Sequence, residues 1–401
     1  METRPRLYDS ILREHFSRTG KMAFLSGARQ VGKTTAARSL ATQYLSWDNM
    51  DDRHVMQHGT GALADAVGLG AVSEEPPIVV LDEIHKYSRW KTLVKGFYDS
   101  YGERAKIIVT GSARLDDYRR GGDSIMGRYR LYRVHPWSVA ECVRTDVPPE
   151  ENFIREPSPV DDDDWAALLQ HGGFPEPFIM RDNRTSRQWR RLLHEQLAKE
   201  DLRELSRVQE LGAIETLMLV LAGRSGGQLV FSNLSNELGV AVDTVKRWVE
   251  LLVRLHHGFL VRPWFTNVAK ALRKEPKWYL RDWSGIADAG GRAETLVACH
   301  LLKAVEGWTD LGFGTFELRY LRDKMKRKVD FIVIRDGKPW FMVEAKQTAA
   351  PLSPALAHFQ KQTNAKHAFQ VELDAPFVAA DCFAQTAPVR VPARTLFSQL
   401  L

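Results

Sequence analysis

The residues Gly27, Ala28, Arg29, Gln30, Val31, Gly32, Lys33 and Thr34 constrain this chain more than any other stretch, because they fit GxxxxGK[ST] completely. The pattern has a mechanical meaning. Its glycines let the backbone curl until successive N–H groups converge on a phosphate, and the helix that follows adds the positive end of its dipole. Lys33 is then placed to reach the β- and γ-phosphates, and Thr34 to offer a hydroxyl to Mg2+. Such a loop works only between a strand and a helix. Met22 to Ser26 reads as a short apolar strand, and the segment from Thr35 to Thr42 as a helix. Residues 27–34, with Thr35 opening the helix, are therefore the expected site for ATP and Mg2+.

Three further apolar runs, near 43–47, 78–81 and 106–110, alternate with helical segments, which predicts parallel β/α units with ligands at the carboxyl ends of the strands. Ile78 to Leu81 ends in Asp82 and Glu83. Asp82 at such a strand tip holds Mg2+ through water, and Glu83 is the expected base for the attacking water. One strand later, Thr110 and Ser112 flank Gly111, where polar side chains lie beside the γ-phosphate and orient the water. Arg128, in Gly127-Arg128-Tyr129, lies on a stretch able to reach a neighbouring subunit's nucleotide, where an arginine stabilises transition-state charge. The competing reading is a solvated surface arginine.

The chain has 401 residues, enough for two or three domains. With 44% hydrophobic and 26% charged residues it is neither disordered nor fibrous. The net charge of +6 is compatible with nucleic acid without arguing for it. Cys142, Cys299 and Cys382 are far apart, against a zinc site or a disulfide scaffold. The start lacks a signal-peptide apolar core, and no run approaches a membrane span, so a cytoplasmic protein with no membrane partner is expected. The composition divides the chain into 1–147, a Pro- and acid-rich linker at 148–164, a helical segment at 165–265 and a mixed segment at 266–401. Within the helical segment, Leu229 to Leu260 has a helix-turn-helix rhythm: Ser232 caps a short helix, Gly239 turns, and Asp243 starts a second helix. Lys246, Arg247 and Arg254 lie on that second helix, where DNA readers place groove contacts. Trp248, Phe259 and Trp264 read as core, and His256 and His257 as structural.

Lys328 to Ile334 and Pro339 to Ala345 form two strands around Asp336-Gly337, a hairpin signal. With the loop Asp336-Gly337-Lys338, Asp330 falls opposite Glu344; a two-residue loop shifts the pairing by one. Glu344 and Lys346 share a face. Two carboxylates and a lysine then converge, a set that binds Mg2+ and activates water against a phosphodiester. The bland alternative is an edge-strand ion pair. The basic run Arg322, Lys324, Lys326, Arg327 and Lys328 precedes it and suits backbone phosphates.

Beyond these spacings, Gly27–Thr34, Leu81–Lys86 (LDEIHK), Thr110–Leu115 (TGSARL), Gly127–Ser138 (GRYRLYRVHPWS), Gly172–Glu176 and Lys277–Asp282 (KWYLRD) resemble a group of bacterial and archaeal AAA-type ATPases. The resemblance implies an α/β architecture: a P-loop AAA-type parallel sheet, then a winged-helix segment, then a mixed α/β domain similar to PD-(D/E)XK nucleases. It also implies that Glu294 joins Asp330 and Glu344 as a metal ligand, and that the chain forms a homo-oligomer, such as a ring. The sequence departs from the family at Ala113, where relatives often carry a further Ser. The leading expectation is a Mg-ATP-driven ATPase acting on DNA by remodelling, branch migration or nucleolysis. The rival is a nucleotide-controlled switch whose carboxyl-terminal domain is inert.

Overall fold

The protein is described from a computed structural model, over residues 4–71, 74–111, 125–202, 210–264 and 275–401. The chain divides into two compact units, one of Met1–His135 with Arg144–Val147, the other of Pro136–Val143 with Pro148–Leu401.

The first unit is built on a five-stranded sheet of β1 (Met22–Gly27), β2 (Gln43–Ser46), β3 (Ile78–Asp82), β4 (Lys106–Thr110) and β5 (Tyr129–Val134). Its order is β2-β3-β4-β1-β5 and every pairing is parallel. The three central strands read MAFLSG, IVVLD and KIIVT, and are buried almost throughout. Such near-continuous apolar runs mark strands covered on both faces. The helix Trp90–Tyr101 supplies one cover by burying Trp90, Leu93, Val94 and Phe97 at helical spacing. Because β4 lies between β1 and β3, the loop after β1, the acids after β3 and Thr110 at the end of β4 share one edge. The helix behind the loop, Lys33–Leu40, starts two residues earlier than the sequence indicates, because Gly32 takes the left-handed cap conformation with φ of 101°.

The second unit opens with helices, among them Leu211–Ala222, Phe231–Leu238 and Val242–Arg254, and continues into a seven-stranded sheet. Its strands are β6 (Gly258–Pro263), β7 (Lys277–Leu280), β8 (Phe316–Arg322), β9 (Lys328–Arg335), β10 (Lys338–Lys346), β11 (His367–Glu372) and β12 (Val389–Pro392), in the order β12-β11-β10-β9-β8-β6-β7. Strand β6 pairs antiparallel with β7 and parallel with β8. The hairpin that follows the helices is thus one end of the large sheet, and the expected division at 265/266 falls within it. Gly239 makes the turn with φ of 65°, as expected; Ser232 is not the cap, since Val230 holds that position without a side-chain bond. Trp248 and Phe259 are buried, and Trp264 packs partly buried against a cluster that includes Leu321 and Val329.

The stretch 148–164 does not behave as a tether. Phe153 sits among the rings of Trp308, Phe313, Phe316 and Trp340, and the Arg155 N–H donates to the Gln399 carbonyl at 3.0 Å. Its proline and acidic content hid one apolar anchor. Lys303 and Glu141, both buried, form an ion pair in the same unit. Among the described residues no helix is long and apolar enough to cross a membrane.

Candidate functional site

At the carboxyl edge of the first sheet, Gly27 has φ of +154°, and a Cβ there would stand 2.4 Å from the Val134 carbonyl oxygen on β5. Only glycine lets β1 approach β5 that closely while turning into the loop. Gln30 and Gly32 take φ of 58° and 101°, which completes the curl. Ala28 and Val31 are buried beneath the loop, Arg29 is half-buried, and Thr35 is exposed on the first turn of the helix. The Lys33 ammonium, itself buried, donates to the carbonyls of Gly27 at 2.9 Å and Ala28 at 2.7 Å. It therefore spans the loop's mouth, where the phosphates of a nucleotide would meet it. Arg6, which no motif announces, is buried and donates to the Val31 carbonyl at 2.9 Å and the His135 carbonyl at 2.8 Å, tying the loop to the end of β5.

Asp82 is buried at the tip of β3, and its carboxylate accepts from three hydroxyls. Thr34 approaches at 3.2 and 3.3 Å and Tyr44 at 2.5 Å; Thr110 is the third donor. Thr110 reaches it because it is next in the register that pairs Leu81 with Val109. Tyr44 on β2 is a second residue that sequence reading missed, since a lone tyrosine on a short strand carries no pattern. Burial and the neighbouring carboxylate push its hydroxyl up to about 12. A threonine hydroxyl and a carboxylate form a hard-oxygen set, with no cation already paired to Asp82 among the described residues. That donor set fits Mg2+ held by Thr34 and Asp82. The ion would supply charge neutralisation at the phosphates.

Glu83 follows with φ of 53°, a left-handed turn that swings its side chain away from the strand. It lies 3.4 Å from the Lys86 ammonium and 3.8 Å from the His85 ring. Burial raises its pKa, opposed by Lys33 and Lys86. A carboxylate held partly dry beside the phosphate loop is suited to take a proton from water. Ser112 lies outside the described residues. Arg128 precedes β5 at the opposite edge of the sheet, about 17 Å along the strand from Gly27, and grips Asp99 with Nε at 2.6 Å and Nη2 at 3.1 Å. A cavity of 940 Å3 lined by Arg18, Asp99, Arg104 and Lys106 lies at that same far edge and not at the loop.

In the second unit, Asp330 on β9 and Glu344 on β10 are brought together by a route the sequence left open. The turn is the two-residue Asp336-Gly337, pairing Arg335 with Lys338, yet a bulge between Pro339 and Phe341 adds one residue and restores the register of the longer loop. Val343 then faces Phe331, so Glu344 and Asp330 come opposite each other. The Asp330 N–H donates to Glu344 Oε2 at 3.3 Å, and the Ala345 N–H to Asp330 Oδ2 at 3.2 Å. Lys346 pairs with Glu344 at 3.0 Å and Lys328 with Asp330 at 3.3 Å. Glu294, on the helix Ala289–Leu311, accepts from Tyr279 at 2.6 Å. Lys277 on β7, which the sequence marks only as the start of the KWYLRD run, with no role at this cluster, lies 2.8 Å from Glu294 and 3.3 Å from Asp330. Burial works to raise the Asp330 carboxyl, but Lys277 and Lys328 outweigh it and hold it low; burial and Asp330 push Glu344 up. As arranged, the three carboxylates do not fit a divalent metal, because an ammonium already bridges two of them. Among the described residues no three His, Cys, Asp or Glu side chains gather to hold a metal ion.

The basic residues are exposed but largely engaged. Arg247 pairs with Glu210 at 2.8 Å, Lys246 with Asp243 at 3.1 Å, Arg327 with Asp323 at 2.6 Å, and Arg322 bonds Gln228. Lys324 and Lys326 project from the turn between β8 and β9, and Arg254 is exposed at the end of its helix.

Residues 19–143 match a family described as an AAA domain, and residues 162–291 match one described as a domain of unknown function. Uncharacterised proteins of Mycobacterium tuberculosis and Mycobacterium bovis are each 24% identical over 339 residues, covering 82% of this chain and 71% of the relative. The solved structure of C. elegans PCH-2 matches at 13% identity over 60% of this chain and 65% of that one, with a TM-score of 0.23, too low for a shared arrangement of the whole. The match over residues 19–143, together with the loop and the parallel sheet around it, supports an AAA-type P-loop domain with ATPase activity.

Proposed function

We propose that the protein hydrolyses Mg-ATP in its first unit and acts on DNA through its second. The observation that carries the ATP reading is the meeting of the Lys33-spanned loop with Asp82, Thr34 and Thr110 at one sheet edge, one residue before Glu83. Lys33 steadies the phosphates, Thr34 and Asp82 hold Mg2+, Glu83 takes the proton of the attacking water, and Thr110 fixes the Asp82 carboxylate. The DNA reading rests on a helix-turn-helix followed by the β6–β7 hairpin, a winged-helix order, with exposed Lys246, Arg247 and Arg254 and the basic turn before β9. AAA ATPases commonly assemble, and a homo-oligomer in which Arg128 exchanges Asp99 for a neighbour's nucleotide belongs to this proposal.

The rival is a nucleotide-controlled switch with an inert second unit. One observation favours it: many of the proposed DNA-contacting cations already have carboxylate partners. Phosphate release measured with single-stranded, duplex and branched DNA separates the two. Stimulation by any of these supports action on DNA; none from all three supports the switch. Lys33→Ala removes turnover in either case, and a mutant that hydrolyses ATP normally would overturn the site itself.

A further inference from the structure

Three carboxylates of the second unit are already paired with ammonium groups. Glu294, Asp330 and Glu344 are matched by Lys277, Lys328 and Lys346. Lys277 is the deepest of these, 6% exposed. Its Nζ lies 2.8 Å from Glu294 Oε1 and 3.3 Å from Asp330 Oδ1, so it bridges the helix Ala289–Leu311 and β9. A metal shared by those two elements would need the same place, and two like charges do not share it. The ammonium is fixed from behind. The Lys277 backbone pairs with Val261 in the β6–β7 hairpin and forms a bridge with Gln228, and the ammonium itself lies 5.7 Å from the centroid of the Tyr320 ring. Tyr279 also donates to Glu294 Oε1, and the remaining oxygens of the β9–β10 pair are engaged: Asp330 Oδ2 by the Ala345 N–H, Glu344 Oε1 by Lys346 and Glu344 Oε2 by the Asp330 N–H.

We propose that Lys277 is the resident cation of this cluster, standing where a divalent metal would sit between Glu294 and Asp330, so that the second unit carries a closed ion network instead of a metal-dependent phosphodiester-cleaving centre. Buried carboxylates need a counter-charge, and a lysine supplies it permanently where a metal would come and go. This goes beyond the ATPase reading and is independent of it.

The test is Mn2+ binding to the nucleotide-free full-length chain, followed by electron paramagnetic resonance. Wild type shows no saturable Mn2+ that Asp330→Asn removes. Lys277→Met keeps the length of the stem and drops the charge; it gains one saturable Mn2+, bound about tenfold or more tightly than anything in wild type, and the added Asp330→Asn abolishes it. The proposal is overturned if wild type binds a Mn2+ that Asp330→Asn eliminates, or if folded Lys277→Met gains none. Should Lys277→Met fail to fold, wild-type melting decides. A thermal midpoint equal in Mn2+ and in EDTA supports the closed network, and a Mn2+-dependent rise that Asp330→Asn cancels refutes it.

Discussion

Gly27→Ala probes whether the phosphate loop is shaped by a close strand approach. The added Cβ would lie 2.4 Å from the Val134 carbonyl oxygen, where contacts below 3.0 Å require something to move. Neither wall yields readily. Strand β5 is held to β1 in continuous parallel register from Met22–Tyr129 to Gly27–Val134, and Arg6 clamps the residue after Val134 to the loop. The backbone cannot relax instead, because φ of +154° is glycine territory. A backbone forced into a disfavoured region costs about 1–3 kcal/mol, and overpacking adds about 1–3 kcal/mol more. A loss of about 4 kcal/mol is therefore expected, a large part of the roughly 5–15 kcal/mol that holds a domain folded. Gly61→Ala is the control: it lies within the helix Thr60–Ala66, its Cβ would meet nothing within 4 Å, and it should stabilise by about 0.5–1 kcal/mol. Native-state hydrogen exchange at the β1 amides reads both. If Gly27→Ala opens within about 0.5 kcal/mol of wild type, the close approach of β1 and β5 is not real and the loop geometry built on it fails.

Further outcomes follow from three buried or half-buried sites, Glu83, the Lys303–Glu141 pair and His300. Glu83→Gln keeps nucleotide binding, because Lys33 and Thr34 are untouched, and loses phosphate release; equal turnover in a steady-state assay would remove Glu83 as base. Burial raises the Glu83 carboxyl, so in wild type the acid limb of the turnover profile lies at higher pH than an ordinary glutamate gives. Lys303→Met strands Glu141 as an unpaired buried carboxylate and should cost about 3–5 kcal/mol of second-unit stability in urea unfolding, whereas the double change with Glu141→Leu restores most of it. His300 is buried with its Nε2 facing the Val139 N–H at 3.2 Å and Nδ1 facing the Leu296 carbonyl at 2.9 Å, and its pKa falls to about 4, mainly by burial. A depressed histidine gives stability that is full above its unfolded value of 6.5 and is lost as pH drops toward 4, by about 3 kcal/mol. His300→Gln flattens that slope in unfolding measured across the range, and an unchanged slope would refute it.

What the sequence made legible was whatever obeys a local rule. The phosphate loop, the apolar strand before it and the acids at 82–83 each follow from spacing alone, and all of them stand where a parallel sheet with β4 in the middle puts them. Residues that matter through distant partners were invisible. Arg6 works by joining Val31 to His135, and Tyr44 by reaching a carboxylate thirty-eight positions away. The β9–β10 hairpin shows the limit most sharply. Its Asp-Gly turn was readable, but the bulge after Pro339 was not, and the bulge alone decides whether Asp330 and Glu344 meet. The Phe153 anchor was obscured for a similar reason, since one aromatic in an acidic, proline-rich stretch has no period to reveal it.

Asp82 and Asp330 are both buried on strands, and their surroundings explain why the same residue type leads to opposite expectations. Hydroxyl donors from Thr34, Tyr44 and Thr110 satisfy the oxygens of Asp82 but leave its negative charge intact, so a hard cation arriving with a nucleotide finds a charge to neutralise. Asp330 instead receives the ammonium groups of Lys277 and Lys328, which satisfy oxygens and charge together. A metal entering there must first break the buried Lys277 pair as well as the more exposed Lys328 pair and leave Lys277 unpaired in the interior, a step costing several kcal/mol before any coordination energy is gained. Hydrogen-bond satisfaction and charge neutralisation are separate quantities. Counting carboxylates in a sequence measures neither, whereas the identity of their donors in the fold distinguishes a site that awaits a cation from one that already has its own.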